Sequence, residues 1–266
     1  MHTHEVCLLR HDSKVVGRKQ KRLFALVPER AMREPLPVCY YLHGWGGTAE
    51  AYLNHALIVE ALRNAEQVSV FAESFRNWFI NDHQGNRYED YLIHEALPAA
   101  EAAWMPHGCT KRMIAGFSMG GLSALCMTWR HPTLFDGVAC FAGAFEAPRR
   151  VGDPYAQFRS RSDLFMPTES DLVRAWGDLG SAVRKQYDPY ESLCAEELRG
   201  KPIYMAVGSN DFVRMIDMNR RLHTHLEESA IPHKYEEYPH GHDMDMVASS
   251  LPAALDHLLQ TGWGEA

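Results

Sequence analysis

Lys111-Arg112-Met113-Ile114-Ala115-Gly116-Phe117-Ser118-Met119-Gly120-Gly121 runs from an apolar strand pattern through Gly-x-Ser-x-Gly. Beyond it, Leu122, Leu125, Cys126 and Trp129 recur at helical spacing. A strand that turns this sharply into a helix leaves no room for Cβ atoms beside the serine, which accounts for Gly116 and Gly120. The serine is then held in an unfavourable backbone conformation that lifts its hydroxyl above the sheet. The helix beneath it offers unpaired N–H groups and a positive dipole end to a developing oxyanion. The alternative is a plain helix cap at Ser118, which would require neither the preceding strand nor the paired glycines.

A serine hydroxyl is a poor nucleophile until a base takes its proton, so a histidine and an orienting acid should follow on loops after later strands. The strand pattern Pro202-Ile203-Tyr204-Met205-Ala206-Val207 ends in Gly208-Ser209-Asn210-Asp211-Phe212, which puts Asp211 at a strand's C-terminal end. Asp211 could instead cap the helix that begins nearby. The pattern His233–Tyr238 ends in Pro239-His240-Gly241-His242-Asp243. Two histidines compete there, and a bend at Gly241 favours His242 over His240. The strand Val38-Cys39-Tyr40-Tyr41-Leu42 runs into His43-Gly44-Trp45-Gly46-Gly47-Thr48. Its glycines let the backbone approach a substrate, so the N–H groups of Trp45 and Met119 can serve as paired oxyanion donors. His43 precedes the serine and reads as a loop anchor.

Working outward, short apolar runs alternate with helical patterns, as in a mostly parallel sheet with crossover helices. Strands are expected near 4–10, 20–27, 37–42, 67–72, 111–116, 137–142, 202–208 and 233–238, the first two as an antiparallel edge hairpin. Helices are expected near 50–65, 88–104, 119–130, 212–229 and 246–260, with a kink at Pro98. Residues 147–186 break this rhythm with Arg, Asp, Ser and Pro, and read as a lid-like insertion, partly helical near 168–177. The expected fold class is therefore α/β, an eight-stranded sheet flanked by helices, with residues 1–266 forming one domain.

Composition bounds the function. A formal charge of −7 disfavours nucleic acid or an anionic membrane as partner. The six cysteines are scattered without a CxxC pair and read as reduced thiols. No secretory leader and no long apolar span is visible, so a cytoplasmic location is expected, without a membrane partner. His2-x-His4, His223-x-His225 and His240-x-His242 have the spacing of strand metal ligands, but further ligands are missing, so no metal is expected. The oligomeric state is open, a homo-oligomer included.

The assembled motifs resemble the putative esterase family of the α/β-hydrolase superfamily, which includes esterase D-like, tributyrin and feruloyl esterases and mycolyltransferases. The resemblance is carried by Leu42–Gly47, Asn77-Trp78-Phe79-Ile80-Asn81-Asp82, Tyr88–Leu92 with Glu95–Pro98, Ala115–Gly121, Gly208–Phe212 and Tyr238–Asp243. It implies the α/β-hydrolase fold and a Ser118, Asp211 and His242 triad. It also implies oxyanion donors at Trp45 and Met119, and a pocket lined by Trp45, Trp78 and Phe145. The implied activity is cleavage of a small-molecule carboxylic ester through an acyl-enzyme, with no cofactor. Acyltransferase or thioesterase chemistry would use the same triad, and a non-catalytic binding protein on this fold is the remaining alternative. Two features depart from the family. Met244 stands where an aromatic residue is common, and 147–186 matches no subgroup. Within that segment Arg149, Arg150, Arg159 and Arg161 suit either a substrate anion or a solvated face.

Overall fold

The computed structural model describes residues 4–150 and 167–259. Eight strands form one sheet: β1 (His4–Ser13), β2 (Arg18–Pro28), β3 (Leu36–Leu42), β4 (Val68–Ala72), β5 (Cys109–Phe117), β6 (Gly137–Phe141), β7 (Ile203–Gly208) and β8 (Lys234–Tyr238). Their spatial order is β1-β2-β4-β3-β5-β6-β7-β8. The β1–β2 hairpin is antiparallel and β2 runs antiparallel to β4, whereas β3 to β8 are parallel.

The central strands are apolar on both faces because helices cover both. Along β3, Val38, Tyr40 and Leu42 enter one core while Cys39 and Tyr41 enter the other. The first core is closed by α3 (Tyr88–Tyr91), α4 (Leu97–Trp104), α5 (Met119–Arg130) and α9 (Val213–Glu228). The second is closed by α1 (Glu50–Leu53), α2 (Ala56–Asn64) and α10 (Met244–Leu259). All residues of α5 from Met119 to Trp129 are buried, so this helix is covered around its whole circumference.

Each expected strand is present. The helix expected over 50–65 breaks in two around Asn54, and the one over 88–104 does not simply kink at Pro98. A π turn over Leu92–Ala96 separates α3 from α4 directly before Pro98, and the helix runs on through it without a break. Of the segment 147–186, residues 151–166 lie outside the described residues, Arg159 and Arg161 with them. The remainder holds α6 (Glu169–Trp176), started by a reciprocal Thr168–Asp171 capping box, and α7 (Ala182–Tyr187). The expected helix at 168–177 is α6, and it buries Leu172, Ala175 and Trp176 in the first core. A further short helix, α8 (Pro189–Ser192), follows. Among the described residues, no helix is long and apolar enough to cross a membrane.

This topology fixes the site. From β3 the chain moves outward to β4, then returns to place β5 on the other side of β3. The loops after β3 and β5 therefore diverge over one crevice at the C-terminal edge, where open α/β sheets hold their ligands.

Candidate active site

Ser118 joins β5 to α5 with φ +55 and ψ −112, a region that side-chain-bearing residues rarely occupy. The turn is pinned from the neighbouring strand: Ser118 N–H donates to Phe141 O at 2.8 Å, and Ser118 O accepts from Ala144 N–H at 3.0 Å. The flanking glycines are needed for space. A Cβ at Gly116 would lie 2.2 Å from Gly120 O, and one at Gly120 would lie 2.2 Å from Leu42 O. The second contact seats the elbow against the end of β3.

His242 leaves the loop after β8 with its ring between Phe117 and Phe212, at centroid distances of 4.7 and 5.7 Å. Its Nε2 lies 2.9 Å from Ser118 Oγ, and its Nδ1 lies 2.8 Å from Asp211 Oδ2. An ionised carboxylate only accepts, so Nδ1 carries the proton and Nε2 accepts from the serine hydroxyl. The Asp211 side chain is fully buried, and its other oxygen accepts the Phe212 N–H at 2.6 Å. His240 turns elsewhere, to Ser249 Oγ on α10 at 2.8 Å.

The loop after β3 supplies the opposite wall. The Gly46 and Gly47 N–H groups are engaged, with Phe75 O and Gly44 O. The Trp45 and Met119 N–H groups donate to no backbone acceptor among the described residues. Met119 is the first residue of α5, where an amide has no intrahelical partner. Beneath this loop His43 is buried. Its Nε2 accepts from the Ser74 and Phe75 N–H groups at 3.1 and 3.3 Å, while Nδ1–H donates to Gly44 O at 2.7 Å. Burial lowers its pKa to about 4, so the ring is a neutral clamp between two loops.

The loop after β4 carries strain. Phe75, Trp78 and Phe79 all have positive φ. The strained backbone is held from outside: Ser123 Oγ on α5 donates to Trp78 O, and Tyr187 OH accepts the Asn81 N–H at 3.0 Å. Tyr187 OH in turn donates to Glu89. Burial would raise the Glu89 carboxyl, but His131, Arg130 and Tyr187 together hold it below its ordinary value.

These walls enclose a cavity of about 410 Å³ that contains Ser118 and His242. Trp45 and Trp78 line it, their rings 5.6 Å apart. Phe145, expected as the third lining aromatic, does not line it. Its ring is fully buried over the Cα of Gly143, because the chain turns inward after β6. Phe75, on the same loop as Trp78, is largely exposed outside the cavity. Sequence reasoning missed Leu172, Met215 and Met218 on the apolar wall, and Arg214. Met215 and Met218 stand three apart on one face of α9, a spacing that would have marked a buried stripe. No local signal marks Arg214.

The histidine pairs at ligand-like spacing separate. His223 faces His233, with Nδ1 and Nε2 2.7 Å apart, and His225 packs on the Tyr190 ring. His2 lies outside the described residues. The six cysteines carry free thiols, three of them buried.

A family model described as "Putative esterase" matches residues 13–258. An acetyl esterase from Caldicellulosiruptor saccharolyticus is 29% identical over 229 residues, spanning 84% of this chain and 83% of its own. Among solved structures, the substrate-bound serine hydrolase FphF of Staphylococcus aureus is similar with a TM-score of 0.80 at 19% identity, over 97% of this chain and 99% of its own. An S-formylglutathione hydrolase from Agrobacterium tumefaciens gives 0.75 at 16% identity, over 96% of each chain. At these identities the structural likeness is one of fold.

Proposed function

The chain belongs to the putative esterase family and is an enzyme of ester hydrolysis, and we propose that Ser118, His242 and Asp211 carry that hydrolysis out. The observation that supports this most is the relay of 2.9 Å from Ser118 to His242 and 2.8 Å from His242 to Asp211. Both distances lie within the reach that proton transfer requires.

His242 Nε2 takes the hydroxyl proton as Ser118 Oγ attacks the ester carbonyl. The imidazolium so formed is stabilised by Asp211, whose burial leaves it no water to pair with instead. Charge developing on the carbonyl oxygen is met by the Trp45 and Met119 N–H groups, which need no reorganisation to receive it. His242 then returns the proton to the departing alcohol. A water molecule, deprotonated by the same nitrogen, resolves the acyl-enzyme. Two aromatic rings against His242 limit its rotation and hold both hydrogen bonds at once. The apolar walls favour a small ester with a short or medium acyl group, in line with the acetyl ester named for the relative.

The test is hydrolysis of p-nitrophenyl acetate and butyrate by wild type and Ser118→Ala. The variant is expected to lose about 10⁶ in kcat, leaving only what binding and the oxyanion donors provide. Wild-type turnover in Ser118→Ala would remove the serine from the mechanism.

A further inference from the structure

Asn219 on α9 is fully buried and is not among the described residues that line the cavity. Its side-chain Nδ2 donates twice, to Gly143 O at 3.0 Å and to Met215 O at 2.8 Å. Its Oδ1, equally buried, accepts no hydrogen bond among the described residues. Enclosing an amide with an unanswered acceptor is costly, and a leucine of similar size would fill the space without that cost. What the asparagine supplies at this position is its pair of donors.

The Gly143 carbonyl belongs to the same peptide unit as the Ala144 N–H, and in a trans peptide the two point in opposite directions. Ala144 N–H donates to Ser118 O at 3.0 Å. The Ser118 carbonyl in turn shares its peptide unit with the Met119 N–H. Two peptide units thus lie in series between Asn219 and the amide assigned above to the oxyanion. Ser118 O also accepts from the Gly121 and Leu122 N–H groups of α5, at 3.0 and 3.3 Å. Of these three bonds, only that from Ala144 reaches the turn from another part of the chain. Ala144 follows a strained stretch: Ala142 has φ +46, and its N–H is held by Ala206 O at 2.7 Å. Asn219 holds the Gly143–Ala144 peptide that comes next.

Resting on the mechanism proposed above, we infer that Asn219 is a positioning residue for the Met119 oxyanion donor, acting through the Gly143–Ala144 and Ser118–Met119 peptides. Each accepted hydrogen bond polarises the amide beyond it, so the chain strengthens the Met119 N–H as a donor and holds its direction. The charge this donor serves develops only as Ser118 Oγ attacks. The effect therefore falls on the transition state and spares substrate binding. The second bond, to Met215 O, anchors the chain in α9, which begins two residues after Asp211. One side chain thereby ties the element behind the acid to the turn that carries the nucleophile.

A matched pair of esters tests this. p-Nitrophenyl acetate and p-nitrophenyl thionoacetate differ only in oxygen or sulfur at the carbonyl, and sulfur is the poorer acceptor for an N–H group. The oxygen-to-sulfur ratio of kcat/KM reads the oxyanion donors, and it does not depend on how much of a preparation is folded. Asn219→Leu and Asn219→Ala should each lower that ratio by about fivefold or more. On the acetate, kcat should fall about tenfold, less than the about 10² to 10³ that accompanies loss of a whole oxyanion donor. KM should stay within about twofold of wild type. The pH midpoint of kcat/KM should not move, since His242 and Asp211 keep their bonds. Wild type alone gives a second reading that needs no variant to fold. Forming the Ser118 adduct with butylboronic acid should shift the Asn219 side-chain amide resonances, although Asn219 does not line the cavity. An unchanged oxygen-to-sulfur ratio in both variants would overturn the inference, as would Asn219 resonances indifferent to the adduct. In either case, loss of turnover in Ser118→Ala would leave the esterase mechanism intact. Turnover retained in Ser118→Ala would instead sink the mechanism on which the inference rests.

Discussion

His240 and His242 are separated by one glycine and have different partners. His242 reaches both Ser118 and Asp211, while His240 is spent on Ser249. On the proposed mechanism His242→Ala should therefore abolish p-nitrophenyl ester turnover, and His240→Ala should keep at least about a tenth of it, since only His242 lies within proton-transfer reach of Ser118. Steady-state kinetics on the two variants decide the matter, and the reverse ranking would mean that the turn at Gly241 delivers the other ring. At this scale the meeting of Ser118, His242 and Asp211 could be anticipated from sequence because each sits in a short motif at the end of a strand, where local residues dictate the geometry. Phe145 could not be placed that way. Whether an aromatic after β6 faces a cavity or the core depends on Gly143 beneath it and on the helices that close the core. Arg214 is a harder case, for a charged residue in the first turn of a helix is ordinarily solvated.

His43 shows what the elements ask of each other. It ties the loop after β3 to the loop after β4 through two accepted N–H groups, and it does so only while neutral. Burial holds its pKa near 4, against about 6.5 in an unfolded chain. Between those values the unfolded chain binds the proton and the folded one does not. The stabilisation is therefore complete above about pH 6.5 and is lost as pH falls towards 4. For this residue alone it amounts to about 3 kcal/mol. His11, His233 and His257 are lowered in the same direction, burial being the first cause for each. Denaturant midpoints should fall as pH drops through this window, and the His43 ring should remain in its Nδ1–H form by nitrogen NMR at pH 5. A His43 ring that titrates near 6.5 in the folded protein would contradict the clamp. Sequence periodicity located the long elements well. It missed the π turn before Pro98 and the short helices α7 and α8, whose few residues are held by tertiary partners such as the Tyr187–Glu89 contact.

For the molecule as a whole, topology brings the parts together. The reversal of strand order at β3 and β5 opens the crevice, and the loops after β7 and β8 add Asp211 and His242 at the same edge of the sheet. The alternation of strand and helix patterns was enough to anticipate this sheet, because short connections and right-handed crossovers leave few ways to wind it. Cavity shape was not accessible in the same way, since the described residues of its walls come from seven separate stretches of chain, including α6 and α9. A relay of this geometry should make Ser118 the most reactive hydroxyl in the protein. The direct measurement is covalent labelling of the intact enzyme with a fluorophosphonate, followed by fragment mass spectrometry of the tryptic peptide Met113–Arg130, which also contains Ser123 and Thr128. A single adduct on Ser118, formed by wild type and absent from His242→Ala, is the expected result. No adduct, or one carried by Ser123 or any other residue, would contradict it.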